Sequence, residues 1–372
     1  MNLFKKSLLF ISLSVSFLAC TDKEEVKVPL TIPATYDGSA FTTNAATQLL
    51  VRTQVTNLLT ESKKSRTLGT KVAATTLVNS FTTGNPSLKS IASTSYSTLL
   101  EGNNGLFAKV EKASGNVYTV GVPVNNSFGG VANGYLFDET GLDLNEAVEK
   151  NAFVGILYKH ATDLMNGTLT SATPDQIIAI FGANPTFPNS STAAKVTQPD
   201  MLMAGYAARR DKNDGKGFYN DIKINAIKLQ AAIKAGDKYK AEQQEAIAAI
   251  KLSWENASAA STINYCYSVV STLSNTTVTE AQKASALHSL SEGIYFTATW
   301  KNIAQTQRKI TDAQIEEILA LFNATASYKV ATNPVTELPK LQQVISKLQT
   351  IYGFSNAELE DFKSNWITVQ GR

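Results

Sequence analysis

Residues 341–351 read LQQVISKLQTI. Leu341, Val344, Ile345, Leu348 and Ile351 recur at steps of three and four, and an α-helix gathers such positions onto one face. A half-buried strand would instead alternate every second residue, which this run does not do. The same period returns upstream in Phe218, Ile222, Leu229 and Ile233, with Ala226 filling the remaining position. Ile247, Ile250 and Trp254 line the segment that follows. These stripes assign the chain to the all-α class and predict a helical bundle.

Helix start signals agree with the stripes. Thr311-Asp312-Ala313-Gln314 is a capping box, in which the Thr311 hydroxyl accepts the Gln314 backbone N–H and the Gln314 side chain reaches back. Ile310 and Ile315 stand where a hydrophobic staple needs them. Ser355-Asn356-Ala357-Glu358 repeats the device, with Phe354 and Leu359 as its staple. Thr173-Pro174-Asp175-Gln176 puts proline at the first helical position, where its missing N–H costs nothing. Thr277-Val278-Thr279-Glu280 is expected to open a long helix running to about Ile303.

Between the helices, segments 101–140 and 182–200 are rich in Gly, Asn and Pro and read as long loops. Asn116 to Val124 (NVYTVGVPV) is the one stretch with strand character, a short edge strand or an extended loop. The expected architecture is therefore a helical bundle with long loops and at most a minor β element.

The N-terminus carries an address. Lys5 and Lys6 precede an apolar run from Ser7 to Ala19, the form of a secretory signal and too short for a comfortable membrane span. Phe17-Leu18-Ala19-Cys20 resembles the lipobox of bacterial lipoproteins, in which the cysteine is acylated and becomes the new N-terminus. The expected division is a signal peptide at 1–19, a lipid-anchored linker at 20–44 and a helical domain at 45–372. Three acyl chains on Cys20, as the resemblance implies, would hold the protein on a membrane without embedding it. Thr21 is not the aspartate that often retains such proteins at the inner membrane. Lys23-Glu24-Glu25 is similar to a lysine-plus-acidic tag that directs some Gram-negative lipoproteins to the outer face of the outer membrane. An outer-membrane, cell-surface location is the expectation.

Composition narrows the functional classes. The chain of 372 residues carries 34 Lys and Arg against 31 Asp and Glu, and loss of the signal removes Lys5 and Lys6. No clustered positive charge points to nucleic acid. With Cys20 acylated, Cys266 has no disulfide partner; set in Asn264-Tyr265-Cys266-Tyr267, it reads as a buried small hydrophobe.

Several stretches taken together resemble a bacterial lipoprotein family known only as a domain of unknown function. They are Tyr135 to Leu142 (YLFDETGL), Glu149 to Gly155 (EKNAFVG), Gln176 to Pro188 with Phe181-Gly182 and Thr186-Phe187-Pro188, and Ala286 to Gly293 (ALHSLSEG). The resemblance covers about residues 33 to 325. Where that family has a run like WDEAFGYFG, this chain has Asp175 to Gly182 (DQIIAIFG), with fewer acids and aromatics. In architecture the chain looks like the imelysin-type helical lipoproteins, which are associated with iron uptake. Their Gly-x-His-x-x-Glu signature is missing here, and the nearest run is Tyr158 to Asp163 (YKHATD).

Chemistry has few carriers. The two histidines each have an acid on the same helical face: Asp163 three residues after His160, and Glu292 four residues after His288. Facing helices that offer such pairs can hold a transition metal in a bundle core. The simpler reading is two histidines each satisfied by its helical neighbour. Arg210 to Gly215 (RDKNDG) fails the register of a calcium loop and reads as a turn. No cofactor is expected beyond that metal. The leading functional expectation is a non-catalytic binding or accessory lipoprotein of nutrient uptake, with iron or haem as cargo and an outer-membrane transporter as partner. The alternatives are a metal-dependent peptidase-like enzyme using His160 and His288, and a structural or adhesive surface protein.

Overall fold

The computed structural model describes residues 28–122, 128–275 and 277–372. The signal at 1–19, Cys20 and the charged run at 21–25 lie outside the described residues. What is described is predominantly all-α. Its axis is the long helix Lys240–Leu273, which packs against Phe218–Ala235, Glu280–Ala298, Pro334–Tyr352 and Leu202–Arg209. Trp254, at the middle of that helix, is fully buried and meets Tyr158 and Phe181 edge-on. One continuous core of buried residues runs from Tyr36 to Ile367. No described helix is long and apolar enough to cross a membrane.

The stripe that predicted the class is buried as expected: Leu341, Val344, Ile345 and Leu348 all face the core. The Thr311 and Ser355 capping boxes both form. The box predicted at Thr277–Glu280 forms two residues later, between Thr279 and Gln282, and helix 280–298 begins there. Both pairs satisfy the spacing rule, so the pattern alone could not choose. Pro174 falls in the first turn of helix Thr173–Phe181.

Two loop expectations need correction. Segment 101–140 contains the helix Leu106–Ala113 and a hairpin of strands Gly130–Ala132 and Tyr135–Phe137, paired antiparallel with Ala132 opposite Tyr135. Asn133 and Gly134 both have positive φ, at 48° and 80°, the geometry of a tight two-residue turn. The strand character read into Asn116–Val124 amounts to one parallel bridge between Val117 and Val131, while residues 123 and 124 lie outside the described residues. The lead-in also packs before residue 45. Tyr36 is buried with its hydroxyl donating to Asp175 at 2.7 Å, and Phe41–Asn44 is already helical.

Helix Leu144–Ala152 is unlike the others. All nine of its residues are buried, three of them charged, because helices Ala46–Lys63, Leu106–Ala113 and Glu280–Ala298 enclose it. It continues through a π-helical turn, Phe153–Tyr158, into Lys159–Asn166. Helices with charged residues on a fully enclosed surface are uncommon, since ions leave water at a cost of several kcal/mol each unless paired, on the order given by ion transfer.

Candidate functional site

The site is built on that enclosed helix. Asp143 caps it: one carboxylate oxygen accepts the Asn145 backbone N–H at 2.9 Å. The other oxygen faces His288 Nδ1 at 2.9 Å and accepts from Arg66 Nη2 at 3.2 Å. Arg66 also donates to Glu146 at 2.6 Å and to the Asn145 side chain at 3.1 Å. One turn further on, Lys150 donates to Glu146 at 2.5 Å, to Glu149 at 2.8 Å and to the Tyr206 hydroxyl at 2.7 Å. Glu292 stands 3.6 Å from the same ammonium. The rings of Phe153, Tyr206 and Phe296 surround it at 4.6 to 5.5 Å from their centroids, placing negative ring faces around a fully buried cation. Lys63 closes the set with an ion pair to Glu149.

His288 is held between two acids. Nδ1 meets Asp143 and Nε2 meets Glu292 at 3.2 Å. Two carboxylates can be satisfied at once only when both ring nitrogens carry protons, so the geometry selects the imidazolium. Burial alone would lower its pKa, but hydrogen bonds to Asp143 and Glu292, with Glu146 nearby, hold it up at about 10. The hairpin contributes here: Tyr135 stacks on the His288 ring at 4.3 Å and 19°.

The surrounding groups divide in consequence. Burial raises Glu292, yet Lys150 and His288 outweigh it and bring the carboxyl down to about 2. Glu149 is likewise driven below the carboxylate range by Lys150 and Lys63, against its burial. Glu146 goes the other way, raised by burial and by Glu149, Glu292 and Asp143 despite Lys150. Burial would lower Lys150, but Glu146, Glu149 and Glu292 hold it well above its ordinary value. Asp143, Glu146, Glu149 and Glu292 thus face Lys63, Arg66, Lys150 and His288, four acids against four cations. The network is neutral when all of these groups are charged.

A cleft of about 380 Å3 opens beside this network. Lys63, Glu149 and Tyr206 form its charged wall, and Leu59, Phe153 and Met201 contribute apolar surface. Asp200 and Arg209 also line it. Asp200 accepts from the Ser190 backbone and the Tyr219 hydroxyl, both at 2.9 Å, and burial pushes its carboxyl up to about 7. A larger cavity of about 640 Å3 lies elsewhere, between Tyr36, Phe41, Pro185 and Phe187, with none of the network residues in its lining.

The predicted metal pairs separate. His288 and Glu292 enter the network. His160 and Asp163 do not: Asp163 is exposed and paired with Lys159, and the buried His160 Nε2 has no hydrogen-bond partner. Burial lowers the His160 pKa, with Asp163 and Lys159 as its charged neighbours. Among the described residues the one group of ligand-type atoms within metal reach is Asp143, Glu146 and His288, mutually within 4.8 Å. Cys266 is buried and its thiol pushed well up by burial, which fits the packing role expected of it. Asp211 to Gly215 is a turn in which Asp211 accepts the Asn213 backbone N–H at 2.7 Å.

Sequence reasoning passed over Asp143, Glu146 and Lys150. Their spacing of three and four was a usable signal, since it puts them on one helical face. Lys63, Arg66, Tyr206 and Arg209 carried no such mark. In comparisons with known proteins the chain matches no family model, no curated protein and no solved structure.

Proposed function

We propose that the chain is a lipid-anchored binding or accessory protein of the outer membrane, facing outward, that serves nutrient uptake. The observation that carries this reading is the cleft beside the network, whose charged wall is made of groups already committed to one another. A general base must be free to accept a proton at working pH. Here Glu149 is bound by two lysines, Lys150 is engaged three times, His288 spends both N–H groups on carboxylates, and Asp200 has one oxygen accepting from the Tyr219 hydroxyl and the other from the Ser190 N–H. Groups held in this way present fixed charge and shape to a ligand, as small-molecule sites do.

The anchor rests on Cys20, and the resemblance to imelysin-type lipoproteins supports iron or haem uptake, with an outer-membrane transporter as partner. In cells, Cys20→Ala is expected to move the protein from the membrane fraction to the soluble periplasm. Protease applied to intact cells should degrade the wild type. A variant that stays tightly membrane-bound, or a wild type fully protected from protease, would show the address to be wrong.

A metal-dependent, peptidase-like enzyme is the second reading, and the close approach of Asp143, Glu146 and His288 favours it. A divalent ion there would have to displace Arg66 from both carboxylates and a proton from His288. Stoichiometric transition metal in the purified protein, lost in His288→Ala, would select this reading over the first.

A further inference from the structure

Arg209 is the unspent charge in the cleft. It ends helix Leu202–Arg209, where the carbonyl end of the helix favours a cation. Its guanidinium lies over the Tyr206 ring, 4.2 Å from the centroid, and Tyr206 is in turn pinned by Lys150 and Glu149. Burial would lower its pKa, but Tyr206, Tyr265, Glu292 and Glu149 keep it raised, so the group is a permanent cation. Every other cation of the site has a carboxylate within ion-pair distance. Lys63 has Glu149, Lys150 has three acids, Arg66 has two and His288 has three. Among the described residues Arg209 has neither an ion pair nor a side-chain hydrogen bond. Its neighbour Arg210 differs, donating to the Ser364 carbonyl at 2.6 Å.

A half-buried guanidinium, seated over an aromatic ring and left with its N–H fork unused, matches a planar carboxylate by its own fork geometry. The remaining walls refine the choice. Leu59, Phe153 and Met201 offer apolar surface on the same cleft, and Ser191 adds a hydroxyl to its lining. Inorganic phosphate would use the fork but leave the apolar wall wet. Of the two acids on the lining, Glu149 is neutralised by Lys150 and Lys63, and Asp200 is turned to the Tyr219 hydroxyl and the Ser190 N–H, with burial lifting its carboxyl to about 7.

We infer that the cleft is a receptor site for a small organic acid, with the carboxylate paired to Arg209 and an apolar body against Phe153, Leu59 and Met201. This rests on the reading of the protein as a binding protein and names the class of its ligand.

The test is calorimetric titration of the purified protein with four probes: phenylacetate, phenylacetamide, phenethylamine and inorganic phosphate. The first three share one apolar body and differ in charge. Wild-type protein is expected to bind phenylacetate most tightly. Arg209→Gln should weaken that binding by about 30-fold or more, the loss typical when one member of a buried charge pair is removed. Arg209→Lys, which keeps the charge and loses the fork, should fall between. Lys223→Gln, in the other cavity, should bind as the wild type does.

The wild-type ranking decides the matter even if an Arg209 variant misfolds. Equal or tighter binding of the amide or the amine would overturn the organic-acid inference and leave a binding cleft of another specificity. Tighter binding of phosphate would also overturn it. Failure of all four probes would remove both the inference and the cleft as the binding site. Phenylacetate binding unchanged in a folded Arg209→Gln would place the acid elsewhere.

Discussion

His288 and Lys150 are the two residues on which the charged network turns. The His288 value, about 10 when folded, lies above the ordinary 6.5. A raised value means that its contribution to stability is fully present below about pH 6.5 and is lost as pH rises through about 10. Glu292 has the opposite sign: its contribution is present above about pH 4.5 and lost as pH falls through about 2. His288→Ala strands two carboxylates and is expected to cost roughly 1–3 kcal/mol near neutral pH. Urea melts of the two proteins should converge as pH approaches 10; a gap constant from pH 6 to 10 would mean that His288 is not held as the imidazolium. Lys150→Met leaves Glu146, Glu149 and Glu292 without their shared cation and should cost about 3–5 kcal/mol, read as a lower urea midpoint. The His288–Glu292 contact was legible at this scale because one helix carries both partners four residues apart. Asp143, which meets the other ring nitrogen, lies 145 positions away in sequence, and no local pattern could join them.

At the scale of the element, helix ends were read well and helix environments were not. Three capping boxes form, and the sequence located two of them to the residue. The third offered two overlapping candidates. Since the Thr279 side chain accepts the Gln282 N–H, Thr279→Ala should lower stability by about 1 kcal/mol, whereas Thr277→Ala should leave the melting temperature unchanged. The reverse result would restore the Thr277 start. The hairpin at Gly130–Phe137 was passed over inside a Gly- and Asn-rich segment, although Asn133-Gly134 is a strong turn signal. Strands of three residues are too short to show alternation, so only the turn spoke for them. Helix 144–152 was hidden for another reason. Nothing in its own residues marks it as enclosed, and its burial is imposed by three helices brought in from 46–63, 106–113 and 280–298.

Across the whole molecule, one core joins the lead-in at Tyr36 to the last helix at Ile367. Trp254, at its centre, should therefore report on all of it: Trp254→Ala is expected to cost about 3–5 kcal/mol and to lower a single cooperative melt. Two separated transitions would reveal independently folding parts. By itself the sequence determined the class, the helix period and the Thr311 and Ser355 caps. Each of these is written in residues within a turn or two of one another, where local spacing and backbone hydrogen bonding suffice. Tertiary structure decided which charges are buried, which acid each cation meets, and that Arg209 alone of the site's cations is left without one. Those outcomes depend on segments from 56 to 145 residues away in sequence arriving at the same helix. An ion's energy in a protein is set by what surrounds it in space, and chain spacing carries no record of that.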